Sequence, residues 1–313
     1  MKVSERPVLT ETYETLSVFS PGPDSSYIFG TSHEERSAHS QEWEAARPNV
    51  DFVRIISQFD DRFTVDLNGA TFDVALRSLT QLRNLLSGLA RRSRLYIDIT
   101  GLEHQVWAPL IRSALDVGIQ TYVVYVEPGD YRLSATRREG EIFDLSERIN
   151  GVAPLPGFAS LNELDAPDVP FVALLGFEGI RFRYVLEVSQ PSRNKIIPIV
   201  GVPGFRPEYP FYTYDGNRPV LEDNSAWVRV RFAKANCPFS LWYTLKDVAL
   251  EHPAASMKIA MIGTKPHAVG AILFYFTHSE PVELVYDHPK RKEKRTEGSS
   301  RVLVYAISAF VKQ

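Results

Sequence analysis

The chain has 313 residues, 44% of them hydrophobic and 12% aromatic, which is enough apolar material for one large core or two smaller ones. A net charge of −3 with 23% charged residues excludes a uniformly basic surface built to coat nucleic acid. A single cysteine, Cys237, excludes an internal disulfide and a cysteine-based metal cluster and suits a reducing, cytoplasmic setting; neither metal nor cofactor is expected.

The opening "MKVSERPVLTETYETLS" has no apolar core, so no signal peptide is expected. The longest apolar stretch, "AVGAILFYF", falls far short of the roughly 20 residues of a membrane helix, so no membrane contact is expected. In chain order, "SSYIFGTS" is an aromatic and β-branched run ending at Gly30 and reads as a strand, and "HEERSAHSQEWEAA" after it is helix-compatible. "VDFVRIIS" reads as a strand. "ATFDVALRSLTQLRNLLSGLARR" carries Phe72, Ala75, Leu76, Leu79, Leu82, Leu85 and Leu86 at helical spacing, which predicts one long helix. "SRLYIDIT" reads as a strand, "EHQVWAPLIRSALDVG" as a helix closing near Gly118 with Pro109 in its first turn or at a kink, and "IQTYVVYVEP" as a strand. Strands alternating with helices argue a parallel α/β sheet with right-handed crossovers.

Residues Arg132 to Asp168 read as a partly ordered connection between two lobes. Beyond it, "VPFVALLGFEG" and "NKIIPIVGVPGF" read as strands, the second leaving into a loop, "GFRPEYPFYTYDGNRP". "PFSLWYTLKDVALEH" reads as a helix. Cys237 just before it is expected to be a buried core residue, because no adjacent His or basic residue would activate its thiol. "SMKIAMIG" reads as a strand, "PHAVGAILFYFTH" as a helix, "PVELVYDHP" as a strand, and "SRVLVYAISAF" as a final strand at an antiparallel edge.

The two halves match each other. "YIDITGLEHQVWAPLIRSALDVGIQTYVVYVEP" parallels "KIAMIGTKPHAVGAILFYFTHSEPVELVYDHP", with Thr100 on Gly263, Gly101 on Thr264 and His104 on His267. "YIFGTSHEERS" parallels "VALLGFEGIRF", with Glu34 on Glu178 and Arg36 near Arg181. Either the chain is a tandem duplication, or two unrelated α/β units share turns that always favour Gly, Thr and a polar cap.

A strand ending in "DITG" or "MIGTK" and opening into a helix resembles the signature turn of CARF-type Rossmann-like domains, and two such units resemble the SAVED arrangement of two CARF-like halves. The similar stretch covers the two sheet cores, about half the chain. Members of these families bind cyclic or linear oligonucleotide second messengers in prokaryotic antiviral defence, and some cleave their messenger. The resemblance therefore implies a nucleotide or cyclic oligonucleotide ligand and a protein partner in a defence complex. The chain departs from the pattern at "TGLEH", where the family has a second Gly and a Lys. No region reads as the fused effector nuclease or protease of the family.

The residues carry this reading as follows. In "GTKPHAVG", Gly263 lets backbone approach an anion, Thr264 caps a helix whose N–H groups face outward, Lys265 adds a point charge and His267 a donor that titrates near neutrality. The same residues also suit a plain cap with a solvated lysine. "DITGLEH" offers Thr100, Gly101 and His104 for ligand contact, and Asp98 or Glu103 beside His104 for acid/base work, or all of them only decorate a first turn. Glu34 and Glu178 read as helix-dipole partners or ligand contacts, and Arg36 as a phosphate clamp. The run from Lys290 and Arg291 through Arg295 reads as a solvated hairpin tip or as a reach toward polyphosphate or nucleic acid. Phe211, Tyr212 and Tyr214 read as base-stacking rings or a packed cover. No Walker, dinucleotide or hydrolase signature occurs in the sequence.

The expected architecture is α/β: two tandem Rossmann-like parallel-sheet lobes, residues 1–150 and 151–313, related by internal duplication. The expected function is a second-messenger-binding sensor subunit whose effector activity comes from a partner. The alternatives are a nucleotide or phosphoester-cleaving enzyme using His104 or His267, and a structural scaffold of a defence complex.

Overall fold

The computed structural model describes residues 9–32, 34–138, 141–160, 169–253 and 255–312. Residues 1–8 of the opening segment and residues 139–140 and 161–168 of the expected connection lie outside the described residues. The chain divides into two units, residues 1–130 with 296–313, and residues 131–295.

In the first unit, β1 (Thr10–Tyr13) precedes the fully buried β2 (Ser25–Gly30). The expected helix after Gly30 is reduced to a single 3-10 turn (Glu35–Ser37) and the short α1 (Gln41–Ala45), capped by Ser40. Then come β3 (Val50–Gln58), β4 (Arg62–Leu67) and β5 (Ala70–Ala75). The first six residues of the long helix expected from residue 70 are thus strand. Only α2 (Leu79–Leu89) is helical, with Ser78 accepting from the Gln81 N–H and with Leu82, Leu85, Leu86 and Leu89 buried on one face. β6 (Arg94–Asp98), α3 (His104–Val117) and β7 (Gln120–Tyr131) complete the run; α3 ends on Gly118 at φ 81°, the left-handed conformation glycine adopts without strain.

The second unit opens with β8 (Leu133–Arg138), β9 (Glu141–Phe143), β10 (Ser146–Ile149) and β11 (Ala153–Pro154) where a partly ordered connection was expected. The buried β12 (Phe171–Leu174), α4 (Gly179–Ser189) and β13 (Ile196–Gly201) follow. The expected aromatic loop is largely a helix, α5 (Tyr209–Asp223), with Pro210 in its first turn where no N–H is needed. β14 (Arg231–Ala233), α6 (Pro238–Glu251), β15 (Met257–Met261), α7 (Lys265–Thr277), β16 (Val282–Tyr286) and β17 (Pro289–Arg291) end the unit. The chain then returns to the first unit as β18 (Thr296–Tyr305) and α8 (Ile307–Val311).

The larger sheet has the order β1-β18-β7-β6-β2-β3-β4-β5, and the sheet of the second unit β11-β16-β15-β12-β13-β14. Both are mixed rather than purely parallel: β3-β4, β4-β5, β1-β18 and β11-β16 pair antiparallel. The final strand is not an edge, because β1 pairs outside it. That pairing moves residues 296–313 into the first unit, and the break falls between residues 130 and 131 rather than at 150.

Inside each mixed sheet lies a parallel core, four strands β7-β6-β2-β3 in one and five strands β16-β15-β12-β13-β14 in the other. Numbered along the chain, the first core reads fourth-third-first-second and the second fifth-fourth-first-second-third; the two agree once β14 is set aside. In such a sheet the chain winds in opposite directions from the first strand, which opens a crevice at the carboxyl ends between the first strand and the neighbour added on its other side. In the second unit that point lies between β12 and β15.

Candidate functional site

The carboxyl ends of β12 and β15 approach more closely than side chains permit. A Cβ on Gly176 would lie 2.8 Å from the Ile262 oxygen, and one on Gly263 would lie 2.9 Å from the carbonyl oxygens of Leu174 and Leu175. Above them a cavity of about 90 Å³ is bounded by the segments that leave β12, β13, β14 and β15, with Arg181, Arg291 and Arg295 on its wall. Tyr131, Phe177, Phe205 and Tyr209 supply an aromatic side. Phe177 stacks on Phe143 at 4.4 Å and meets Tyr131 and Tyr209 edge-on at 5.3 and 5.2 Å.

The three arginines are not equivalent. Arg181, on the first turn of α4, is buried and donates through Nε and Nη2 to the two Asp287 oxygens at 2.7 and 2.6 Å, and through Nη1 to the Ile262 carbonyl at 2.9 Å. Burial pushes the Asp287 carboxyl up, but the Arg181 charge and hydrogen bonds outweigh it and hold the group below the usual carboxylate range. Burial alone would lower the Arg181 pKa, and Asp287 raises it instead. This pair ties the start of α4 to the end of β16.

Among the described residues Arg291 donates through Nη1 alone, to Ser146 Oγ at 3.2 Å and, at 3.4 Å, to Glu178 Oε2. Burial, and next the Arg181 charge, lower its pKa. Glu178 occupies the N-cap position of α4 without capping it. Its carboxylate instead accepts from the Leu145 N–H at 2.9 Å and Ser146 Oγ at 2.8 Å, which anchors β10 beside β17.

The basic run sorts by strand alternation. Lys290 pairs with Glu147 at 2.6 Å and is 57% exposed, and Lys292 pairs with Asp144, while Arg291 and Arg295 reach the cavity. Gly263, Thr264, Glu178 and Arg291 are therefore brought together; Lys265, His267 and Lys290 do not line the cavity among the described residues.

Thr264 caps α7 as expected, accepting from the His267 N–H at 3.3 Å while its hydroxyl donates to the Ala235 carbonyl at 2.7 Å. His267 itself is fully buried at the third position of α7. Its Nε2 faces the Lys234 carbonyl at 3.1 Å and so carries the proton, leaving Nδ1 without a partner. Burial lowers its pKa to about 4. The ring is a neutral strut, not the titrating donor that its sequence context suggested.

The corresponding strand ends of the first unit are filled. A Cβ on Gly101 would lie 1.8 Å from the Gly30 oxygen, and buried Leu102 closes over Gly30. Gln58, at the end of β3, donates to the Gly101 carbonyl at 3.1 Å and accepts from the Glu103 N–H at 2.7 Å, taking up a backbone donor that a ligand would need. Arg36, expected as a phosphate clamp, is buried against Glu34 at 2.6 Å and donates to the Val126 carbonyl. Glu34 also accepts from Thr296 Oγ1 at 2.9 Å. Thr100 Oγ1 accepts from the Val126 N–H at 2.9 Å, and His104 is buried against Trp107. His104 is the first residue of α3 whereas His267 is the third of α7, so the two do not occupy matching helix positions.

Asp98 does pair with a histidine, but with His39 at 3.2 Å rather than His104. Tyr27 donates to the same carboxylate at 2.9 Å, and the Thr100 N–H does so at 2.8 Å. Burial raises the Asp98 pKa, but these partners, His39 first, outweigh it and hold the carboxyl low. The trio lies inside an aromatic cluster with Phe29 and Trp43 and serves packing.

Two further expectations change. Cys237 is half-buried and caps α6 through Sγ, which accepts from the Ser240 N–H, instead of filling the core. Phe211 is 74% exposed and Tyr214 packs on the core of its unit, while Tyr209, two residues before Phe211, is the ring from this helix that lines the cavity. Tyr209 and Phe177 could have been found in the sequence only as aromatics placed just after strand ends.

Among the described residues no helix is long and apolar enough to cross a membrane. In comparison with known proteins, no family model matches the chain and no curated protein is significantly similar to it.

Proposed function

We propose that the protein is a ligand-sensing subunit that binds a nucleotide-type anion in the cavity at the carboxyl ends of β12 and β15. The observation that carries this reading is the meeting, at the switch point of an open α/β sheet, of arginine, aromatic rings and close-approach glycines. Arginine is suited to phosphate and the rings to a base. Binding is favoured over cleavage because no histidine lines the cavity among the described residues, and His267 stays neutral through the physiological range. Apart from β14, which has no parallel counterpart in the first unit, the shared order of the other four strands supports the tandem duplication, with the first copy closed and the second open. The resemblance of "DITG" and "MIGTK" to CARF and SAVED turns adds the setting: a cytoplasmic antiviral defence system with the effector activity on a partner protein.

Native mass spectrometry of the protein purified from its own host tests this. The expected spectrum contains a bound species that releases a nucleotide mass on activation. A chain that remains ligand-free there, and also binds no member of a panel of cyclic and linear nucleotides, contradicts the reading and leaves a scaffold role.

A further inference from the structure

We infer that the cavity is built for one nucleotide unit carrying a single negative charge, a 3′,5′-cyclic mononucleotide, with Arg291 as the residue that clamps its phosphodiester. This deepens the nucleotide-binding reading above and rests on it.

The argument starts from unspent donors. A guanidinium carries five N–H groups in a rigid fork, and its Nε–Nη2 edge matches two oxygens of one oxyanion. Arg181 has that edge closed by both oxygens of Asp287. Arg291 does not: among the described residues its protein bonds run from Nη1 only, and its side chain is 17% exposed on the cavity wall. One open fork serves one oxyanion, and a phosphodiester presents two equivalent oxygens to it.

Charge decides between a diester and a monoester. Arg181, Arg291 and Arg295 stand at the cavity with Glu178, 3.4 Å from Arg291 Nη1, and Asp287, paired to Arg181, so about one positive charge is left over. A phosphomonoester carries roughly −1.5 to −2 at neutral pH and would meet these carboxylates with excess negative charge. A phosphodiester carries one. The carboxylates thus act as a filter against the second charge, while the arginine keeps the first.

Size and rings complete the class. A cavity of about 90 Å³ seats one charged group and part of one ring and leaves no room for a ring of three or four nucleotides. The half-buried rings of Tyr131, Phe177 and Phe205 give a base a flat apolar side on which to stack.

The test is calorimetric titration of the full chain with the 3′,5′-cyclic mononucleotides of adenosine, guanosine, cytidine and uridine. The four 5′-monophosphates and cyclic tri- and tetranucleotides are titrated in parallel. The expected result is one cyclic mononucleotide bound per chain, with its 5′-monophosphate at least about tenfold weaker. Arg291→Lys keeps the charge and loses the fork, so it should weaken binding by at least about tenfold while thermal unfolding stays near wild type. The diester-over-monoester ratio is read on the wild-type chain and needs no variant. Binding of a cyclic oligonucleotide but of no cyclic mononucleotide overturns this inference and leaves the nucleotide reading intact. If no nucleotide binds at all, both fall. Wild-type affinity in Arg291→Lys removes Arg291 as the clamp.

Discussion

Burial lowers the His267 pKa from 6.5 to about 4, with the Lys234 carbonyl holding the proton on Nε2. The unfolded chain therefore binds more protons than the folded one between those two values. Its contribution to stability is fully present above pH 6.5 and is lost as the pH falls toward 4. At ~1.4 kcal/mol per pH unit the loss is on the order of 3 kcal/mol. Thermal unfolding followed from pH 7 to pH 4 should show a falling midpoint, and His267→Gln, which keeps a donor for Lys234 and does not titrate, should flatten that fall. An equal slope in the variant would mean that other groups carry it. The sequence placed a histidine three residues into "TKPH" but not its depth, because burial of a helix face depends on what packs over it. The residues after strand ends were legible as a class: Gly263, Thr264, Glu178 and Arg291 do share one cavity. Their division of labour was not, since Asp287 and Glu178 select which arginine keeps an open edge through contacts 106 and 113 residues apart in sequence.

Among the elements, α4 and α5 cross where a Cβ on Gly179 would lie 1.9 Å from the Gly216 carbonyl oxygen. Backbone cannot yield as a flexible side chain does, so Gly179→Ala must push the start of α4 away and carry Glu178 and Arg181 with it. The expected cost is about 1–3 kcal/mol of stability, the range for overpacking, together with weakened ligand binding. Chemical denaturation and titration of the variant check both, and wild-type values would show that the crossing tolerates a methyl. The sequence read as one long helix from residue 70 contained the signal that breaks it. Asn68 and Gly69 have φ of 54° and 84°, the pair of left-handed positions of a two-residue hairpin, and Asp66 accepts the Gly69 N–H at 2.9 Å. Phe63 and Val65 alternate before the turn, and only Leu82 onward keeps a buried helical stripe. Helical spacing outweighed the hairpin signal in the sequence because Phe72, Ala75 and Leu76 extend the stripe by coincidence. By contrast, α6, α7, β15 and β16 lie close to where the periodicity put them, since long apolar runs bounded by Gly and Pro leave few alternatives.

For the molecule, the alternation of strands and helices was enough to give an α/β protein with two parallel cores, whereas the return of β18 to the first sheet was not legible. A strand's partner is chosen by edges available in three dimensions, and β1 and β7 supplied them. The central claim is that one of the two units is an open binding site and the other a closed copy. Hydrogen–deuterium exchange of the chain, with and without a mixed panel of cyclic and linear nucleotides, measures this directly. The account predicts slowed exchange on ligand addition in the segments around residues 175–181, 201–209, 262–267 and 289–295, and no change around residues 30–37 and 99–104. Protection confined to the first unit's strand ends, or none in either unit, would contradict it.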